Sequence, residues 1–234
     1  MTDITGRVAL VTGANRGLGA AFVAALLERG ASRVYAAARR PESVDATDPR
    51  VVPLQLDVTD ADSIRRAAEA APDVTLLVNN AGIAANQSLV TGDLDEIRRE
   101  LDTNYWGPVL VTRAFAPVIE ANGGGAIVNM HSALSWLATG SYSATKAALW
   151  SASNSSRVEL ATAGIQVVGV HVGYVDTEMA AGAPGVKVPP QQVAAEALDA
   201  VENDEAEAVV GDVAQAVKAR LHEDVRVLYP QLAR

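Results

Sequence analysis

The chain has 234 residues, 49% hydrophobic and 20% charged, which is enough apolar side chain for a sizeable core in one domain spanning residues 1–234. Twenty-eight acidic against nineteen basic residues give a formal net charge of −9, a poor match to phosphate backbones or anionic lipid, so nucleic acid and membrane are disfavoured as partners. There is no cysteine, hence no disulfide, thiolate metal site or thiol nucleophile.

The opening residues carry no charged-plus-apolar leader and the chain has no apolar run of about 20 residues, so the expectation is a cytoplasmic protein. Val8 to Val11 is a short β-branched run, followed by Thr12-Gly13-Ala14-Asn15-Arg16-Gly17-Leu18-Gly19 and an Ala/Leu-rich helix ending at Gly30. Strand, glycine turn and helix is the context in which backbone amides approach a pyrophosphate, although a plain strand-to-helix turn has the same pattern. Arg33 to Ala38 reads as the second strand. An NAD site usually has an acidic residue at its end, whereas this chain has Arg39 and Arg40. Arg39 with Arg16 suits the 2′-phosphate of NADP(H), with NAD(H) the second choice. Two arginines after a strand are also what a solvated loop carries.

Val51 to Leu56 is a third strand leading to Asp57 and Val58, and a helix follows over 60–71 with Thr59 or Asp60 as its cap. The fourth strand, 73–79, runs into Asn79-Asn80-Ala81-Gly82. Residues 94–122 read as one long helix, its apolar stripe formed by Ile97, Leu101, Tyr105, Val109, Val111 and Ala114. Gly107-Pro108 bends it and frees a carbonyl near Asn104. The fifth strand, 126–130, delivers His131 and Ser132. A helix over 142–163 carries Tyr142 and Lys146 at i, i+4, on one face, where an ammonium favours the phenolate. The sixth strand, 165–172, precedes Gly173-Tyr174-Val175-Asp176-Thr177. A helix over 190–202, a strand over 206–211 and a helix over 212–224 finish the chain, and the acid-rich 202–207 reads as a solvated helix end. The alternation predicts an α/β fold, a Rossmann-like doubly wound parallel sheet of about seven strands with helices on both faces. His131, His171 and His222 show no ligand spacing, and Trp106, Trp136 and Trp150 read as packing residues, with Trp136 also a candidate for a substrate pocket.

Taken together, Thr12 to Gly19, Asn79 to Gly82, Asn104, Ser132 and the Tyr142/Lys146 pair resemble the short-chain dehydrogenase/reductase family over essentially the whole chain. The resemblance implies an oxidoreductase that moves hydride between nicotinamide and a small carbonyl or secondary-alcohol substrate. Tyr142 would be the acid/base, Ser132 the donor to the carbonyl oxygen, Lys146 the group that lowers the Tyr142 pKa, and Asn104 the holder of a relay water. Cofactor contacts implied are Gly13, Asn15, Arg16, Gly17, Leu18, Gly19 and Arg39, with Asp57 and Val58 at adenine. Asn79 would lie on the adenosine side, Ala81 and Gly82 would also touch the cofactor, Gly173, Val175 and Thr177 would lie near nicotinamide, and Tyr142 and Lys146 at its ribose. A homodimer or homotetramer is the implied assembly.

Three features depart from the family pattern. Ser132 precedes Tyr142 by ten positions where about thirteen is usual, which leaves Ser135 and Ser141 as alternatives. Val172 stands where a proline normally precedes Gly173. The segment after Thr177 is short, implying an open site. These departures keep a second reading in play, a catalytically weak or inactive NADP(H)-binding sensor of the same fold.

Overall fold

Short β-branched runs alternate with amphipathic helices, and in the computed structural model, which describes residues 2–232, every run pairs in parallel with its neighbours. The strands are β1 (Val8–Thr12), β2 (Arg33–Ala38), β3 (Val51–Gln55), β4 (Leu76–Asn79), β5 (Gly125–Met130), β6 (Ile165–Val172) and β7 (Glu207–Val210). Their order, β3-β2-β1-β4-β5-β6-β7, reverses direction between β1 and β4. In a doubly wound sheet that reversal opens a crevice at the carboxyl ends of the strands, where ligands bind. The predicted fold class is observed.

The period of two within each strand sorts side chains between two cores. Ala9, Val11, Val34, Val78, Val128, Val168 and Val170 face α1 (Gly17–Glu28) and α6 (Pro190–Glu202), where Phe22, Leu26 and Leu198 fill the space. Leu10, Tyr35, Leu77, Ile127 and Val167 face α2 (Ala61–Ala70) and α4 (Gly107–Ala121), against Ile64, Phe115 and Ile119. Covering helices on both faces explain why these strands are nearly continuous apolar runs.

The predicted helix over 94–122 is three pieces, α3 (Leu94–Leu101), a π segment at Asp102–Trp106, and α4. Pro108 has no N–H to give to the carbonyl of Asn104, and the chain widens just before it, with the Gly107 amide reaching back five residues to Asp102. The predicted apolar stripe is only half covered: Val111 is buried, whereas Ile97, Leu101, Tyr105, Val109 and Ala114 are partly exposed, and Trp106 is exposed rather than packed. The face turned inward holds polar Glu100 and Asn104, both fully buried.

The helix predicted to end at Ala163 is α5 (Ser141–Glu159), closed by a 3₁₀ turn at Ala161–Ala163 and Gly164 in the left-handed region. The last predicted helix, 212–224, ends early as α7 (Gly211–Ala219), and a further helix, α8 (Val225–Leu228), begins past it because Asp224 caps the amide of Arg226 and so starts a helix instead of ending one. Glu207 is not part of a solvated end: it opens β7, and its carboxylate takes hydrogen bonds from Trp150 and Lys218.

Candidate active site

The carboxyl end of β1 makes the turn that the glycine spacing predicts. Gly13 and Gly17 have φ of 66° and 54°. At Gly19 the requirement is space, since a Cβ there would lie 2.1 Å from the Gly13 carbonyl oxygen. No side chain caps the first turn of α1, so its amides are open to an anion. Thr177 sits directly across the turn, its methyl 3.3 Å from where a Gly17 Cβ would be, and the exposed Arg16 guanidinium pairs with Glu178. The turn and the 175–177 segment therefore form two walls of one cleft.

At the next strand ends, Arg39 and Arg40 are exposed beside the end of β2. Burial pushes Asp57 up, but hydrogen bonds from Thr59 and the charge of Arg39 hold it below its ordinary value. Val58 is buried against Gly107. The Asn79 side chain does not reach the cleft: it is enclosed within the sheet face, donating to Asn129 at 2.8 Å and Thr112 at 3.1 Å. Asn80 occupies the position expected of it, with its amide on Thr12 Oγ1 at 3.0 Å and its side chain on the Thr12 carbonyl at 2.9 Å. Ala81 also donates to Thr12 Oγ1, and a Gly13 Cβ would lie 3.1 Å from Ala81 Cα, so β1 and β4 clamp this corner together. The signal for Asn80 is the strand period, which turns its predecessor into the core.

Tyr142, Lys146, Ser132 and Asn104 converge beyond β4 and β5. Asn104 is locked by its side chain, accepting from Ile83 N at 2.9 Å and donating to Ile83 O at 2.8 Å and Thr145 Oγ1 at 3.1 Å. That commitment uses both side-chain N–H donors and one of the two lone pairs on Oδ1. Gly82 abuts the same place, since a Cβ on it would meet Asn104 Oδ1 at 3.2 Å and Lys146 Nζ at 3.9 Å. Lys146 donates to the Met130 carbonyl at 2.8 Å and lies 5.6 Å from the Tyr142 ring centroid. Burial brings its pKa down to about 8, against the opposing pull of Glu100.

Lys146 is not what governs the Tyr142 phenol. Burial, then the negative charge of Glu100, push the phenol above its ordinary value of about 10, while a hydrogen bond from Ser132 works the other way. The expected lowering is thus reversed, because burial and the charge of Glu100 outweigh the hydrogen bond from Ser132. Glu100 gave no sign in the sequence except its place four residues before Asn104, on the same helix face. Its carboxylate accepts from Ala85 N at 2.6 Å, Asn86 N at 3.3 Å and the Ser141 hydroxyl.

Among the three serines, Ser141 is committed to Glu100 and Gln87, and Ser135 accepts from the Ser132 amide at 3.2 Å. Ser132 alone faces Tyr142, its hydroxyl resting on the Val172 carbonyl at a long 3.4 Å. Gly173 is half-buried under Val213, and Val175 bridges to Val188. His131 and His171, without ligand spacing in sequence, meet in space at 3.1 Å, and Trp136 stacks on His171 with centroids 3.9 Å apart. Trp136 is therefore a packing residue, as is Trp150. Among the described residues no group of three or more His, Asp or Glu side chains is placed to hold a metal ion.

Residues 7–185 match the family model for short chain dehydrogenases. The NADPH-dependent 1-acyldihydroxyacetone phosphate reductase of Schizosaccharomyces pombe is 34% identical over 181 residues, 73% of this chain and 60% of that protein's length. The cis-4-hydroxycyclohexanecarboxylate dehydrogenase of Sinomonas cyclohexanicum is 34% identical over 233 residues, with 88% and 93% covered. A short chain dehydrogenase from Burkholderia cenocepacia, solved in complex with NADP, superposes with a TM-score of 0.94 at 40% identity, covering 99% of each chain.

Proposed function

The chain belongs to the short-chain dehydrogenase family, and we propose that it is an NADP(H)-dependent oxidoreductase acting on a small carbonyl compound or secondary alcohol, with Tyr142 as the proton donor and acceptor. The observation that carries this reading is the meeting of Ser132, Tyr142 and Lys146 beside an open glycine turn.

The turn suits a dinucleotide. Glycines stand where any Cβ would close the cradle, and the amides of α1 have no side-chain cap. Among the described residues Arg39 makes no ion pair, and the exposed pair of Arg16 with Glu178 is cheap to exchange for a 2′-phosphate. Both features support NADP(H) over NAD(H), in keeping with the NADP bound by the Burkholderia relative. Gly13, Asn15, Gly17, Leu18 and Gly19 would line the pyrophosphate. Asp57 and Val58 would flank the adenine, Ala81 and Gly82 would line the cleft between the turn and Lys146, and Gly173, Val175 and Thr177 would lie at the nicotinamide.

When bound, the reduced nicotinamide supplies hydride. Ser132 turns its hydroxyl from the Val172 carbonyl to the substrate oxygen, and Tyr142 gives that oxygen its proton. The raised phenol keeps Tyr142 protonated, which suits the reductive direction. Lys146 places positive charge over the Tyr142 ring face and would hold the nicotinamide ribose hydroxyls. The exposed Leu94 and Trp106 on the α3 to π face support assembly as a homodimer or homotetramer. Among the described residues no helix is long and apolar enough to cross a membrane.

Fluorescence titration with NADPH followed by a scan of small ketones and aldehydes tests the proposal, with saturable binding and NADPH oxidation expected. Binding without oxidation of NADPH by any compound would instead favour the sensor. Failure to bind would remove both readings.

A further inference from the structure

The register that pairs Met130 with Val170 continues one rung further and sets His131 beside His171 at the ends of β5 and β6. Room for the first ring is made by Gly169, where a Cβ would lie 2.5 Å from His131 Cε1. Both rings are buried, His171 completely. His131 Nδ1 meets His171 Nε2 at 3.1 Å, His131 Nε2 meets Ser153 Oγ at 2.9 Å, and His171 Nδ1 meets the Ser132 carbonyl at 3.3 Å.

These contacts fix where the protons are. A carbonyl can only accept, so His171 carries its proton on Nδ1. In a neutral ring its Nε2 then accepts, and the only donor there is Nδ1–H of His131. His131 Nε2 in turn accepts from the Ser153 hydroxyl, which receives a hydrogen bond from Asn129 at 2.9 Å. Ser153 Oγ also lies 2.8 Å from the Leu149 carbonyl, the alternative target of its proton, but that choice would leave His131 Nε2 without a donor. Glu207, 3.5 Å from His171 Nε2, needs nothing from the ring, being satisfied by Trp150 and Lys218. Burial keeps His171 neutral down to about pH 4, against the pull of Glu207 and with Lys218 opposing protonation. His131 is held well below its ordinary value, by burial first and then by the charge a protonated His171 would carry and by Lys146 and Arg157.

We propose that His171 is a positioning residue for Ser132, holding the shortened loop at two points, the Ser132 carbonyl through Nδ1–H and the Trp136 indole through its ring face, with its tautomer set by the Ser153–His131 relay. The proposal rests on the role assigned above to Ser132. It accounts for how a loop of ten positions keeps its serine at Tyr142: strand β6 grips the loop from the side, in place of the missing length.

The test uses protein labelled with ¹⁵N in its three histidines. At about pH 7.5 the ring spectra are expected to show Nδ1–H tautomers for His131 and His171. An Nε2–H form of His171 overturns the assignment. In kinetics with NADPH and the best carbonyl compound of the scan, His171→Leu is expected to lower kcat by about 10- to 100-fold with NADPH affinity retained. His171→Asn, which keeps a donor toward Ser132, is expected to restore most of it. Equal kcat for wild type and His171→Leu, or no rescue by Asn, overturns the proposal. If His171→Leu does not fold, Ser153→Ala decides: it removes the donor to His131 Nε2, so a displaced His131 Nε2 resonance and a lowered kcat are expected, and an unmoved resonance with unchanged kcat counts against the relay. Should no carbonyl compound be turned over, the oxidoreductase reading fails on its own. The Trp136 indole resonance, displaced in both variants, and the Ser132 amide resonance, displaced in His171→Leu but not in His171→Asn, then still decide whether His171 holds the loop.

Discussion

Glu100 is the residue that most changes how the Tyr142/Lys146 pair works. A carboxylate buried without a cation at hydrogen-bond distance is costly, and this one is compensated by two backbone amides and the Ser141 hydroxyl. Its charge raises both Tyr142 and Lys146, so it keeps the phenol protonated and the amine charged at the same time. Glu100→Gln removes the charge and keeps the shape. The basic limb of the kcat profile for carbonyl reduction is expected to move down by roughly one pH unit, because the acid must be protonated and now loses its proton sooner. An unmoved limb would show that Glu100 acts only by tying residues 85–86 to α5. Tyr142→Phe separates chemistry from binding: kcat is expected to fall by about 10²- to 10⁴-fold with NADPH affinity nearly intact, and retained activity would mean that the proton comes from elsewhere.

At the scale of elements, the glycine turn shows how a sequence signal and its physical cause can coincide. Gly19→Ala places a methyl 2.1 Å from the Gly13 carbonyl and 2.8 Å from Asn80 Nδ2, with no flexible side chain to yield on the carbonyl side. A loss of about 2 kcal/mol, a fall in Tm of roughly 5 °C, and weakened NADPH binding are expected together in thermal melts and titrations. At the end of β2, Arg39→Asp should weaken NADPH by about tenfold or more and NADH much less; equal losses would remove Arg39 from the 2′-phosphate. Such turns, the strands and the Tyr142/Lys146 helix were legible because their signals are local in the chain. What was not legible depends on partners far apart in sequence. The π segment follows from Pro108, but its place at 102–106 is settled by Asn104 locking onto Ile83 and Thr145. The inward turn of Asn79 needs Asn129, and the meeting of His131 with His171 needs the β5/β6 register and the vacancy at Gly169.

For the whole molecule, the buried polar chain from Asn79 through Asn129 and Ser153 to the two histidines is a liability in acid. Above about pH 6.5 both rings are neutral whether the chain is folded or unfolded, and their contribution to stability is complete. As the pH falls below that value the unfolded chain takes up protons that the folded chain refuses, until His171 protonates near pH 4. A group held neutral in this way contributes stability that is present above its unfolded pKa and lost as the pH falls through its folded one. For His171 the loss is on the order of 3 kcal/mol, and His131, also held well below its ordinary value, adds to it in the same direction. Carboxylates with lowered values, such as Asp48 at about 2, release their share only at more acid pH, so the two windows are separate. Urea unfolding measured from about pH 8 to about pH 4.5 is expected to show stability falling steadily below about pH 6.5, with a shallower fall in His171→Asn. A flat profile across that range would mean that the rings accept protons in the folded chain as readily as in the unfolded one, and that the relay between Ser153 and Ser132 does not hold them neutral.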